Sequence, residues 1–104
     1  MVEFDAQVRG TVGVFRVVGE IDVASADEFG DRLLECLERS DSLEVDLGGM
    51  TFIDSSGLGA LVRLRTEAEI VGKDVALVNV GTSTARLLRV TGLQGLFDVE
   101  LPGS

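Results

Sequence analysis

The chain predicts an α/β fold, a mostly parallel central sheet with one antiparallel edge strand and helices, in the order β-β-α-β-α-β-α-β. Three observations carry this reading. Apolar residues alternate with a period of two in several short stretches, the segments between them have helical spacing, and turn or capping residues mark each change. Strands separated by helices pair in parallel through right-handed crossovers, whereas two strands joined by a tight turn pair antiparallel. At 104 residues, with no internal repeat, linker or low-complexity segment, residues 1–104 are expected to form a single domain.

Residues 2–9 place Val2, Phe4, Ala6 and Val8 on one face, the pattern of a half-exposed strand. Gly10 and Thr11 form a short turn into a second strand from Val12 to about Ile21. Its Val14, Phe15, Val17 and Val18 suggest burial on both faces. Ser25-Ala26-Asp27-Glu28 reads as a capping box. The helix after it carries Ala26, Phe29, Leu33, Cys36 and Leu37 on one stripe, with Asp31, Glu35 and Glu38 facing away. Cys36 therefore reads as a small core residue, with a reactive thiol as the alternative.

Leu43, Val45 and Leu47 alternate again and lead to Phe52 and Ile53 in a third strand. A helix is expected from about Ser56 to Val71. Its core arc holds Gly57, Ala60, Leu61, Leu64, Ala68 and Val71, and leaves Leu58 and Val62 outside. Two readings fit that pair: an apolar strip for a partner beside Ser56, or packing against a neighbouring helix. Val75 to Val80 reads as a central strand. Thr82 or Ser83 can cap a third helix ending before Gly92, and Phe97 to Leu101 reads as a last short strand.

Composition narrows the function. The chain has no His, Trp or Tyr, one lysine (Lys73) and one cysteine (Cys36). No Ser-His-Asp or Cys-His machinery can be assembled from it, nor a histidine or thiolate metal site, so no enzyme activity and no cofactor is expected. The net charge of −9 disfavours direct nucleic-acid binding. Residues 1–54 hold 13 acids and 4 bases, against five of each in residues 55–104. That asymmetry either steers a basic partner to the first half or simply keeps the protein soluble. With no apolar run of membrane-spanning length, no signal-peptide start and no possible internal disulfide, a cytoplasmic location is expected.

Chemistry concentrates in Met50-Thr51-Phe52-Ile53-Asp54-Ser55-Ser56-Gly57-Leu58-Gly59, which runs from the carboxyl end of a strand into a helix start. A helix N-terminus offers free amides and a positive dipole end to an anion. Gly57 and Gly59 leave room for another protein beside the serines, and Asp54 can cap the helix or orient a serine hydroxyl. A plain strand-to-helix turn, with the serines as caps, also fits. No P-loop is present. Lys73 lies 17 residues after Ser56, roughly 25 Å along a helix axis, too far to activate it. Ser56 thus reads as a substrate or contact for another protein.

The stretches Val18-Gly19-Glu20-Ile21-Asp22, Val45-Asp46-Leu47 leading into Phe52 to Gly59, and Leu87-Leu88 through Thr91-Gly92-Leu93 to Leu96-Phe97 resemble, in the same order, the STAS domain family and its small bacterial anti-sigma factor antagonists. The resemblance implies a switch. The unphosphorylated antagonist binds an anti-sigma factor with serine kinase activity and frees a sigma factor, phosphorylation ends binding, and a serine phosphatase restores it. By motif position the acceptor is Ser56, with Ser55 the second choice, and partner contacts fall on Asp54, Ser55, Gly57, Leu58, Gly59, Val62 and Asp22. The alternatives are a STAS subunit of a transporter or stress-signalling complex, and a nucleotide-binding regulatory module. Related domains usually continue into a final amphipathic helix, whereas Leu101 here precedes only Pro102, Gly103 and Ser104, so the expectation is either a less covered sheet face or a helix that has been truncated.

Overall fold

The computed structural model describes residues 1–99. Strands β1 (Val2–Arg9), β2 (Val12–Ile21), β3 (Ser42–Ile53), β4 (Asp74–Val78) and β5 (Asp98–Val99) form one sheet in the order β1-β2-β3-β4-β5. Helices α1 (Ala26–Glu38), α2 (Ser55–Val71) and α3 (Thr82–Val90) make the crossovers, and a 3-10 turn spans Gln94–Leu96. The β1–β2 pair is antiparallel and every other pair is parallel. The expected element order therefore holds. Of the expected last strand, Glu100 and Leu101 lie outside the described residues.

Because β2 to β5 follow one another across the sheet in chain order, right-handed crossovers put all three helices on the same face. Burial follows this division. Phe15, Val17, Leu43, Val45, Leu47, Val75 and Leu77 are buried under the helices, whereas Arg16, Val18, Glu20 and Glu44 on the opposite face are exposed. The expectation that β2 is buried on both faces is corrected here: Val17 is 0% exposed and Val18 41%. A nearly continuous apolar run looked two-sided, but among the described residues no helix crosses on the second face.

The helix layer departs from expectation in three places. Ser25 stands at the N-cap of α1 with φ −112° and ψ −9°, outside the extended backbone that lets a cap side chain reach forward. Its hydroxyl turns back instead and accepts from the Asp22 amide at 3.1 Å, so no capping box forms. Gly81, not Thr82 or Ser83, is the N-cap of α3. On α2, Val71 is exposed at the last turn, while Leu58 is buried. Leu58 joins Leu61 and Leu64 in the core cluster, so the buried arc of α2 near its start is wider than one sheet-facing stripe.

Packing between α1 and α2 is close at Gly30, where a Cβ would lie 3.4 Å from that of Ala60. Arg63 reaches across to Asp31 at 3.0 Å. Lys73 ends the same interface: its Nζ donates to the Leu37 and Glu38 carbonyls at 2.9 and 3.4 Å, supplying a cation at the C-terminus of α1, where the Leu37 carbonyl also accepts from the Ser40 amide at 3.2 Å. Phe4, Phe15 and Phe29 cluster over β1 and β2 with centroids 5.6 to 6.1 Å apart.

One-sided burial has a direct consequence for β2. Val17→Ala should lower the unfolding free energy by about 2 to 3 kcal/mol, through lost transfer energy and the cavity left behind. Val18→Ala should change it by less than about 0.5 kcal/mol. Urea denaturation of the two variants measures both, and equal losses would place helices over both faces.

Candidate functional site

The carboxyl ends of β2 and β3 lie side by side, and the site is built where they stop. Two register irregularities, between Arg16 and Val18 and between Gly19 and Glu20, each add one residue to β3 relative to β2. The longer strand thereby returns Ile53 to the core side, directly paired with Ile21. Asp22 and Asp54 follow those two isoleucines on adjacent strand ends, and the Asp54 amide donates to the Ile21 carbonyl at 3.2 Å.

From this point the chain turns at once into α2. Asp54 is the N-cap, with extended backbone (φ −106°, ψ −172°). One of its oxygens, Oδ1, accepts from the Ser56 amide at 2.9 Å, the Gly57 amide at 3.2 Å and the Ser56 hydroxyl at 2.5 Å. The Leu58 amide donates to the Asp54 carbonyl at 3.0 Å. Both roles open to Asp54 from sequence, capping and orienting a serine hydroxyl, are thus filled by a single oxygen. The Ser56 hydroxyl, with the Gly57 and Ser56 amides behind it, holds the Asp54 carboxyl below the usual carboxylate range, against a smaller opposing effect of burial.

The two glycines of the motif do different things. Gly57 is buried, and a Cβ there would lie 2.6 Å from Ile21 Cγ2 and 2.6 Å from Ile53 Cγ1. Its missing side chain brings the helix down onto the strand ends, not another protein toward the serines. Gly59 has nothing within 4 Å of its Cβ position and is exposed, so the open approach expected of both glycines exists at Gly59 alone.

Around the cap, Ser55 is exposed and Ser56 half-buried. Val62 is half-buried one helical turn farther on. Leu58 is 5% exposed and belongs to the core, so the expected apolar strip of Leu58 and Val62 reduces to Val62. Asp22 is half-buried and busy locally, its Oδ1 accepting from the Ala24 amide at 3.0 Å and the Ser25 hydroxyl at 3.3 Å. Two exposed apolar residues stand nearby: Val23, which sequence reasoning passed over, directly follows Asp22, and Phe52 of the motif lies two residues before Asp54 on β3. Only exposure, which no periodicity reports at a strand end, identifies them. Among the described residues no three His, Cys, Asp or Glu side chains converge as metal ligands would, and no helix is long and apolar enough to cross a membrane.

The family model of the STAS domain matches residues 3–101. An anti-sigma-B factor antagonist of Bacillus subtilis (strain 168) is 31% identical over 84 residues, covering 81% of this chain and 77% of the relative. Among solved structures, an anti-sigma factor antagonist from Mycobacterium paratuberculosis superposes with a TM-score of 0.85 at 25% identity, over 98% of this chain and 86% of the other. The Bacillus cell fate determinant SpoIIAA in its phosphorylated form shares the fold, with a TM-score of 0.73 at 20% identity over 93% of this chain and 90% of that one.

The geometry sets two expectations. Gly57→Ala should cost about 1 to 3 kcal/mol of stability because the methyl meets two core isoleucines, whereas Gly59→Ala should be neutral or gain up to about 1 kcal/mol. Thermal unfolding of both variants checks the contrast. Asp54 has a folded-state pKa below its unfolded value, so its contribution to stability is complete above the ordinary carboxylate range and disappears as pH falls through the folded value. Carboxyl NMR titration should show the Asp54 pKa moving up toward the ordinary value in Ser56→Ala.

Proposed function

The chain belongs to the STAS domain family, and we propose that within it the protein acts as an anti-sigma factor antagonist switched by phosphorylation of Ser56. In the unphosphorylated state it binds an anti-sigma factor that is also a serine kinase, which releases a sigma factor. The kinase transfers phosphate from ATP to Ser56, binding ends, and a serine phosphatase resets the molecule. A cytoplasmic location follows from such partners. The similarity to named anti-sigma factor antagonists supports the first part of this reading. The observation that carries the second is the Ser56 hydroxyl, held by Asp54 at the open carboxyl end of the sheet.

The physical argument for the off-state starts from that hydrogen bond. Phosphorylation removes the hydroxyl proton that Ser56 donates and adds about −1.5 to −2 charges beside the Asp54 carboxylate. The amides of Ser56, Gly57 and Leu58 already have acceptors, all of them on Asp54, so the phosphate meets a helix end where three of the first four donors are taken. The dipole of α2 partly offsets the repulsion in water, and the free domain keeps its fold. In a closed interface the dianion loses its water while facing Asp54, and the penalty appears in binding. About 3 to 4 kcal/mol weakens affinity roughly 100- to 1000-fold, enough for a switch.

Chemistry at Ser56 belongs to the partner. Lys73 caps α1 through Leu37 and Glu38, at the opposite end of α2, so the lysine amine does not serve the hydroxyl. Ser55, although more exposed, donates no hydrogen bond to Asp54 and lacks the fixed orientation of Ser56. Partner contacts then fall on the rim of the site, at Asp22, Asp54, Ser55, Gly59 and Val62; of the sequence-based contacts, Gly57 and Leu58 are buried.

Binding to the cognate anti-sigma kinase, measured by isothermal calorimetry, tests this reading. Ser56→Asp should weaken affinity at least roughly tenfold, while Ser56→Ala should bind as the wild type does and stay bound when ATP is added. Equal affinity of wild type and Ser56→Asp refutes the switch. Val62→Glu should reduce binding with an unchanged melting temperature; a sharp drop in that temperature would return Val62 to the core.

A further inference from the structure

We propose that the outer edge of β1 pairs antiparallel with β1 of a second copy of this chain, centred on Ala6, joining two five-stranded sheets into one. Strand β1 stands at the end of the sheet, and among the described residues its only strand neighbour is β2. The two strands close through the two-residue turn Gly10-Thr11, with Arg9 paired to Val12. In such a hairpin the flanking pair exchanges both backbone bonds. Odd-numbered residues of β1 thus direct their backbone groups at β2, a pattern that continues to the Met1 carbonyl, which accepts from the Glu20 amide at 3.4 Å. Val2, Phe4, Ala6 and Val8 direct theirs outward.

Natural sheets blunt an exposed edge with lysine, proline, a bulge or a very short strand. Strand β1 has eight residues, neither lysine nor proline, and a ladder to β2 with no register shift. Its sequence is also complementary to itself. Centred on Ala6, the pairing sets Glu3 against Arg9 of the second copy, Asp5 against Gln7 and Phe4 against Val8. The even-numbered pairs are those that exchange backbone hydrogen bonds. The charged pairs then fall at the non-hydrogen-bonded positions, where side chains approach most closely. Moving the centre to Asp5 opposes two carboxylates, and moving it to Gln7 shortens the ladder.

The charged and polar side chains of the proposed ladder hold only weak contacts with one another in the single chain. Arg9 donates to Gln7 and Gln7 to Asp5, each at 3.3 Å and exposed. Ala6 is exposed and Val8 36% exposed, although both lie on the helix-side face; pairing covers them.

Sedimentation velocity of the full chain over a concentration series tests the proposal, with a dimer fraction that rises with concentration as the expected result. Glu3→Arg and Arg9→Glu each place two like-charge pairs in the symmetric ladder and should weaken association roughly tenfold. An equimolar mixture of these two variants should restore the dimer, because every altered charge then faces its opposite. Ala6→Pro removes an outward N–H and should abolish association with β2 pairing intact, as judged by circular dichroism. A wild type that stays monomeric at every concentration overturns the proposal, as does a dimer insensitive to the charge reversals or a mixture that does not recover.

Discussion

The first turn of α2 can reach the ends of β2 and β3 only because position 57 has no side chain. Gly57 sits against Ile21 and Ile53, the last register pair of the two strands. That close approach puts Asp54 where its carboxylate spans the helix start, and the carboxylate in turn holds Ser56. Core packing, helix capping and the orientation of the serine hydroxyl are therefore one arrangement, and disturbing any part moves the others. A polar site is rigid here because it rests on buried isoleucines.

Much of the fold was legible from local pattern. Capping and spacing located α1 and α2 within a residue or two, and the Gly10-Thr11 turn marked the antiparallel edge. Asp54 was legible as a cap because a carboxylate before Ser-Ser-Gly has the right reach. What escaped depended on neighbours distant in sequence. The two-sided reading of β2 failed because nothing in Val14 to Val18 records that every crossover lands on one face. Leu58 and Val71 exchanged their expected places because the first turn of α2 is buried over a wider arc than one stripe, while its last turn is exposed. The Ser25 box failed on backbone angles that residue types do not specify.

The molecule separates its tasks by surface. Helices cover one face of the sheet and supply the core; the carboxyl ends of β2 and β3 lead into the serine and its carboxylate; β1 forms the sheet edge beyond β2, its first residue paired to Gly19 near that end. Lys73 has a structural task in this division, ending α1 through two carbonyls, which explains a lone lysine in so acidic a chain without giving it a chemical one.

The central claim is that the hydroxyl fixed by Asp54 is the group another enzyme modifies. The most direct measurement is site-resolved tandem mass spectrometry of the chain after incubation with ATP and its cognate anti-sigma kinase. The account predicts a single phosphate on Ser56, with Asp54→Ala slowing its appearance. Phosphate on Ser55 alone, or none on either serine, would contradict it.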